Sequence, residues 1–200
     1  MIPVFPTAYF GSILYFKNLV QHETVLIETK EHFPKQSYRN RCDILGADGI
    51  LSLSIPVKKD NGSKTPTDEV RLSNDENWRA RHWRAIMSAY QSSPYFDYYG
   101  MEVEEILTGN QTHLLEFNNQ ITQKVIEWLD LETEIKLTEE FAPIIENDPR
   151  EILVSKKLNI KPEKAPYIQV FPGENNFTPN ISILDAIMCQ GPMARKLLID

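Results

Sequence analysis

Cysteine is nearly absent: Cys42 and Cys189 are the only two in 200 residues, far apart in segments that read as regular structure. Two such thiols make no disulfide framework and are expected as small buried apolar side chains. Long hydrophobic runs are also missing. The stretch from Ile181 to Cys189 is broken by Asp185 and falls short of the roughly 20 apolar residues a bilayer span needs, so no transmembrane helix is expected. The first residues carry no early Lys or Arg and no apolar segment ending in small residues, which argues against a signal peptide and for the cytoplasm. Positive charge is in deficit, with a formal net charge of -7, and that balance disfavours nucleic acid as a partner. The four histidines, His22, His32, His82 and His113, lack zinc-ligand spacing, so no metal is indicated and no cofactor is identified. There is no Gly-x-Gly-x-x-Gly, Walker loop, Gly-x-Ser-x-Gly elbow or zinc-deaminase pattern, which leaves the common enzyme classes unsupported.

What is present is an ordinary globular composition, 42% hydrophobic and 24% charged, at a length that one core can serve. A single domain over residues 1–200 is expected. Val4-Phe5, the turn from Pro6 to Gly11, the helical spacing of Ile13, Leu14, Phe16, Lys17 and Leu19-Val20, and the β-rich run Glu23-Thr24-Val25-Leu26-Ile27-Glu28 have the grammar of a parallel βαβ unit. Strands are predicted at 38–45 and 49–57, followed by a polar, exposed loop at 58–66 that suits a mobile flap. Helical periodicity then takes over. Trp78, His82, Ala85, Ile86, Ala89 and Tyr90 share one face, with Asn74 or Asp75 as cap, and further helices are predicted at 96–107 and 114–129. A short strand at 134–137, another at 167–171 and a closing helix at 182–189, ended by Gly191-Pro192, complete an α/β chain with a mixed sheet, a βαβ start and a helical middle.

Three segments carry candidate chemistry. If residues 37–42 are extended, Ser37, Arg39 and Arg41 point one way with Lys35 close by, a cationic face suited to gripping a small anion; Tyr38, Asn40 and Cys42 point the other way. The alternative is a strand edge whose arginines pair with surface carboxylates. His82 lies on the apolar stripe of its helix, where it serves either as a general acid or base or as a hydrogen-bonded core histidine beside Trp78. In the predicted strand at 167–171, Tyr167, Gln169 and Phe171 share a side, joining stacking surface to an amide that reads hydroxyls or carbonyls. Ser182 and Asp185 have capping-box spacing and Asn180 is a second cap candidate, so a structural role is favoured for these three.

Taken in order, Thr7-Ala8-Tyr9-Phe10-Gly11, Lys35-Gln36-Ser37-Tyr38-Arg39-Asn40-Arg41, Leu53-Ser54-Ile55-Pro56-Val57, Asn77-Trp78 with His82-Trp83, Pro94-Tyr95-Phe96, Tyr167-Ile168-Gln169-Val170-Phe171 and Phe177 through Asp185 resemble the WbqC-like family, in its shorter, Bacteroidetes-type form. The resemblance implies a place in bacterial surface-polysaccharide (O-antigen-type) biosynthesis. It carries over Tyr9, Lys35, Ser37, Arg39, Asn40, Arg41, Gln169, Asn180, Ser182 and Asp185 as motif residues. Two departures stand out: Thr7-Ala8-Tyr9 replaces the Gln-Pro-Tyr of many longer members, and a Gly-rich region before the last Gln-x-Phe is missing. The expected activity is that of a group transferase or sugar-modifying enzyme acting on an anionic nucleotide- or lipid-linked sugar. Lys35, Arg39 and Arg41 would meet its charge and Tyr9, Ser37, Asn40, Tyr167, Gln169, Asn180 and Ser182 complete the binding set, while His82 and Asp185 are the proton-handling candidates. The competing expectation is a non-catalytic protein that binds a glycan precursor or acts as a scaffold.

Overall fold

The computed structural model describes residues 2–34, 37–74, 76–153, 166–171 and 177–199. The chain begins with β1 (Val4–Phe5), α1 (Ile13–Leu19) and β2 (Thr24–Ile27), and β1 and β2 pair in parallel with Val4 opposite Leu26 and Phe5 opposite Ile27. This is the βαβ unit expected from the sequence. Val25 and Ile27 alternate inward from β2, and Tyr15, Phe16 and Leu19 of α1 close over the sheet. Each such side chain removed from water stabilises the fold by about 1.5–3 kcal/mol. A hairpin of β3 (Arg41–Gly46) and β4 (Gly49–Ser54) follows, in register from Arg41 opposite Ser54 to Gly46 opposite Gly49. The turn requires a positive φ, +102°, at Gly49, which lacks a Cβ to forbid it.

β5 (Val57–Lys58) pairs antiparallel with β6 (Arg71–Leu72). Between them residues 60–64 are exposed, while Thr65, whose hydroxyl accepts from Asn61 N, Thr67 and Val70 are buried. The helical middle is α2 (Trp78–Tyr90), α3 (Phe96–Thr108) and α4 (Leu114–Trp128). Trp78, His82, Ile86, Ala89 and Tyr90 form the buried stripe of α2, at the spacing read from the sequence. Asn77, rather than Asn74, precedes the first turn, and its side chain makes no capping bond. β7 (Glu134–Leu137) then joins the far side of β2 in parallel, giving a sheet ordered β1-β2-β7. After α5 (Pro149–Ile152), the chain ends in α6 (Ile183–Gln190), buried from Ile183 to Cys189, and α7 (Lys196–Ile199). The fold is mixed α/β, and no helix among the described residues is long and apolar enough to cross a membrane.

The strand expected at 38–45 forms only from Arg41, and the one expected at 167–171 does not form. Residues 37–40 make a turn, closed by Asn40 N donating to Ser37 O, and the strand starts only at Arg41. Long-range bonds win over extended propensity here: Tyr9 N donates to Tyr38 O, Asn118 Nδ2 to Arg39 O, and Asn40 Nδ2 to Ile55 O. Ser37, Arg39 and Arg41 therefore do not line up as a period-two row. Residues 167–171 are irregular because the Gln169 carboxamide replaces a strand partner, with Nε2 donating to Thr178 O and Oε1 accepting from Thr178 N.

Candidate functional site

The loop leaving β1 and the stretch entering α6 meet across an isolated bridge between Ser12 and Ser182. Ser12 caps α1, its hydroxyl accepting from Tyr15 N, and Ser182 caps α6, its hydroxyl accepting from Leu184 N. Asn180, held at φ +52°, does not cap α6. Its Oδ1 accepts from Leu14 N at 3.1 Å, so it caps α1 instead. With Ile13 N donating to Ile181 O and Ile183 N to Gly11 O, the leading amides of both helices have partners within the chain. The anion-binding capacity of a free helix N-terminus is thereby used up at this crossing.

Two hollows flank the crossing, and Asn180 stands in the wall of both. On one side is a cavity of about 230 Å3 lined by Ile13, Leu14, Lys17, Tyr167, Phe177 and Asn180 among others. Tyr167 meets Phe177 edge to face at 5.1 Å, so the walls are aromatic and aliphatic, with Lys17 as the cation. On the other side is a narrow polar cleft of about 10 Å3, the room of one water, bordered by Tyr9, Ser12, Tyr38, Asp43, Asn180 and Ser182.

The hairpin supplies the cleft's outer side. Asp43 accepts from Tyr38 Oη at 2.7 Å and from Ser52 Oγ at 2.5 Å. Arg41, half-buried, stands 5.9 Å from the Tyr38 ring, and its Nε and Nη2 are sealed from solvent without a hydrogen-bond partner. Arg39 differs. Its Nε and Nη2 grip Glu31 at 2.6 and 2.7 Å in a buried pair, which cancels its charge and leaves only Nη1 without a partner. The buried hydroxyls of Ser37 and of Thr7, a residue the sequence reading did not single out, are also without partners. Lys35 lies outside the described residues.

The two proton-handling candidates lie in separate buried networks. His82 Nδ1 is 2.8 Å from Tyr9 Oη, and a backbone bond to Ser54 engages the ring as well. Burial is the main reason its pKa falls to about 4, with the Arg81 charge adding to the effect and the Ser54 bond opposing it. At neutral pH the ring is uncharged. Asp185 Oδ2 accepts from Tyr167 Oη at 2.7 Å and from Gln169 Nε2 at 2.9 Å, while Oδ1 is buried without a partner. Burial pushes this carboxyl above the ordinary aspartate range, against the pull of Tyr167, Gln169 and Tyr90. Tyr167 lines the aromatic cavity directly while Gln169 and Asp185 border neither hollow, and neither Tyr167 nor Gln169 lies on a strand. Both cysteines are free and buried, and no group of three or more His, Cys, Asp and Glu able to hold a metal is found among the described residues.

The model of the WbqC-like protein family matches residues 7–163. The chain belongs to the WbqC-like protein family. The matched range of this WbqC-like chain takes in Tyr9, the turn at 37–41 and His82, while Tyr167, Gln169, Asn180, Ser182 and Asp185 follow it. No curated protein and no solved structure matches the chain significantly.

Proposed function

We propose that this WbqC-like chain binds an anionic sugar derivative, nucleotide-linked or lipid-linked, at the crossing of the β1–α1 loop with the α6 entry, and that it acts on this sugar as a group transferase or sugar-modifying enzyme in bacterial surface-polysaccharide assembly. The observation that carries this reading is the position of Asn180, in the wall of both an aromatic cavity and a polar cleft. Apolar and aromatic walls with a few polar groups are the usual make-up of a small-molecule site. The cavity takes the organic part, with Lys17 at hand for negative charge, and the cleft admits a single polar atom beside Tyr9, Tyr38 and Ser182.

A second reading, binding without catalysis, draws on the proton-handling candidates themselves. His82 is enclosed by Tyr9 and Ser54, and Asp185 by Tyr167 and Gln169, so each has internal work that needs no substrate.

A thermal-shift screen with uridine diphosphate glucose, guanosine diphosphate mannose and the parent nucleoside diphosphates separates these ideas. A ligand at a hundred times its Kd stabilises the native state by about 2.7 kcal/mol, which for a chain of this size moves Tm by several degrees. At least one sugar nucleotide is expected to do so. If every compound at millimolar concentration leaves Tm unchanged, the functional reading fails. If one binds but stays intact over hours with enzyme in excess, both alone and with a free-sugar acceptor added, the non-catalytic reading takes its place.

A further inference from the structure

Arg79 satisfies its Nη1 and Nη2 on the backbone carbonyls of Leu107 and Gln111, while three other arginines present a buried Nε/Nη2 fork, two of which close it on a carboxylate. Arg39 closes its Nε/Nη2 fork on Glu31, and Arg150 closes the same fork on Asp148, with Nε to Oδ1 at 2.8 Å and Nη2 to Oδ2 at 2.5 Å. The third, Arg41, presents the same pair of nitrogens, also sealed from water, to nothing. A buried charged donor left unmade is costly, and the planar fork matches two coplanar acceptor oxygens. No carboxylate of the described residues forms an ion pair with Arg41. Asp43, two residues along the same strand face, is taken up by Tyr38 and Ser52.

Of the other anion-holding groups at this crossing, Lys17 lines the aromatic cavity and the rest are engaged. The leading amides of α1 and α6 are bonded within the chain, and the charge of Arg39 is cancelled by Glu31. We infer that the Nε/Nη2 fork of Arg41 is the oxyanion receptor of the site, taking a carboxylate or a phosphate of the ligand side-on above Tyr38. This rests on the reading of the crossing as a ligand site and deepens it: the ligand's negative charge belongs at the hairpin, while Arg39 holds the 37–40 turn in shape. Of the two arginines of the cationic cluster, the role thereby falls to Arg41.

The test uses the intact chain with simple oxyanions, so that it does not depend on which sugar is right. Inorganic pyrophosphate, glucuronate and uridine diphosphate glucose are titrated against wild type, Arg41→Lys and Arg41→Met by calorimetry, with Tm of the ligand-free proteins recorded alongside. Wild type is expected to bind pyrophosphate or glucuronate, and whichever binds names the phosphate or the carboxylate as the natural partner. Arg41→Lys, which keeps the charge but loses the fork, is expected to bind at least tenfold more weakly. Ligand-free Arg41→Met is expected to melt no lower than wild type, because it removes unpartnered buried donors. Unchanged affinity in Arg41→Lys for a compound that wild type binds would overturn the assignment to Arg41 while leaving the ligand site standing. A large loss of Tm in ligand-free Arg41→Met would make the residue a structural one and overturn the assignment as well. Binding of none of the three compounds by wild type would sink the functional reading and this assignment together.

Discussion

Arg150→Met is expected to cost the fold about 3–5 kcal/mol, a large share of the roughly 5–15 kcal/mol by which such domains are stable. The reason is a charge network at the carboxyl end of β2. Glu28 is fully buried and its two oxygens accept from Lys30 N, Thr138 Oγ1, Ala142 N and Arg150 Nη1. Arg150 also holds Asp148 through two bonds and donates to the Ala142 and Pro143 carbonyls. Although burial works the other way, these bonds hold the Asp148 carboxyl below its ordinary range. Methionine fills similar space but strands two buried carboxylates, and the loss comes from their desolvation rather than from the missing side chain's packing. Urea unfolding of Arg150→Met beside Glu28→Gln checks this. The glutamine variant keeps acceptor and donor atoms and is expected to lose less. Equal, small losses in both would show that the network is solvated.

The second large effect is a pH dependence that belongs to His82. Its folded pKa of about 4 lies below the usual 6.5, so between these values the unfolded chain binds the proton that the folded one refuses. The associated stability is complete above about pH 6.5 and is lost as pH falls towards 4. The fall from 6.5 to about 4 corresponds to roughly 3 kcal/mol over the whole window. Unfolding free energies measured at about pH 7 and pH 4.5 are expected to converge in His82→Gln, leaving only the slope from other groups. A His82→Gln variant with the full wild-type slope would mean that the imidazole titrates in water and is not enclosed by Tyr9 and Ser54.

Local pattern made much of the fold legible. Four-residue spacing marks α2, α3 and α4 because those helices bury one stripe each, and the β1-α1-β2 unit is announced by two short apolar runs around a helix. The failures share a cause: a side chain reaching a distant backbone. Residues 37–40 read as a strand until Arg39 finds Glu31 and Asn118 finds the Arg39 carbonyl, 79 positions away. Residues 167–171 read as a strand until the Gln169 carboxamide bonds Thr178. Asn180 reads correctly as a cap, but the helix it caps lies 166 positions earlier. Among the site residues, Tyr9, Tyr167, Asn180 and Ser182 border the two hollows. Arg39 and Gln169 are engaged in holding neighbouring segments, and Lys17, Tyr38 and Phe177 enter only through the structure. Lys17 sat in plain view on the helix, yet nothing local shows that α1 faces a cavity. The Glu28–Arg150 network left one trace, an acidic residue directly ending the apolar run Val25-Leu26-Ile27.

The account stands on ligand occupying the crossing of the β1–α1 loop with the α6 entry. Backbone amide NMR during titration with uridine diphosphate glucose, or with whichever compound the screen selects, reads that location directly. The largest shift changes are expected at Ser12 to Leu14, Tyr38 to Arg41 and Asn180 to Ser182. Changes confined to another hollow, such as the groove bordered by Asp68, His113 and Leu137, with those residues unmoved, would contradict it.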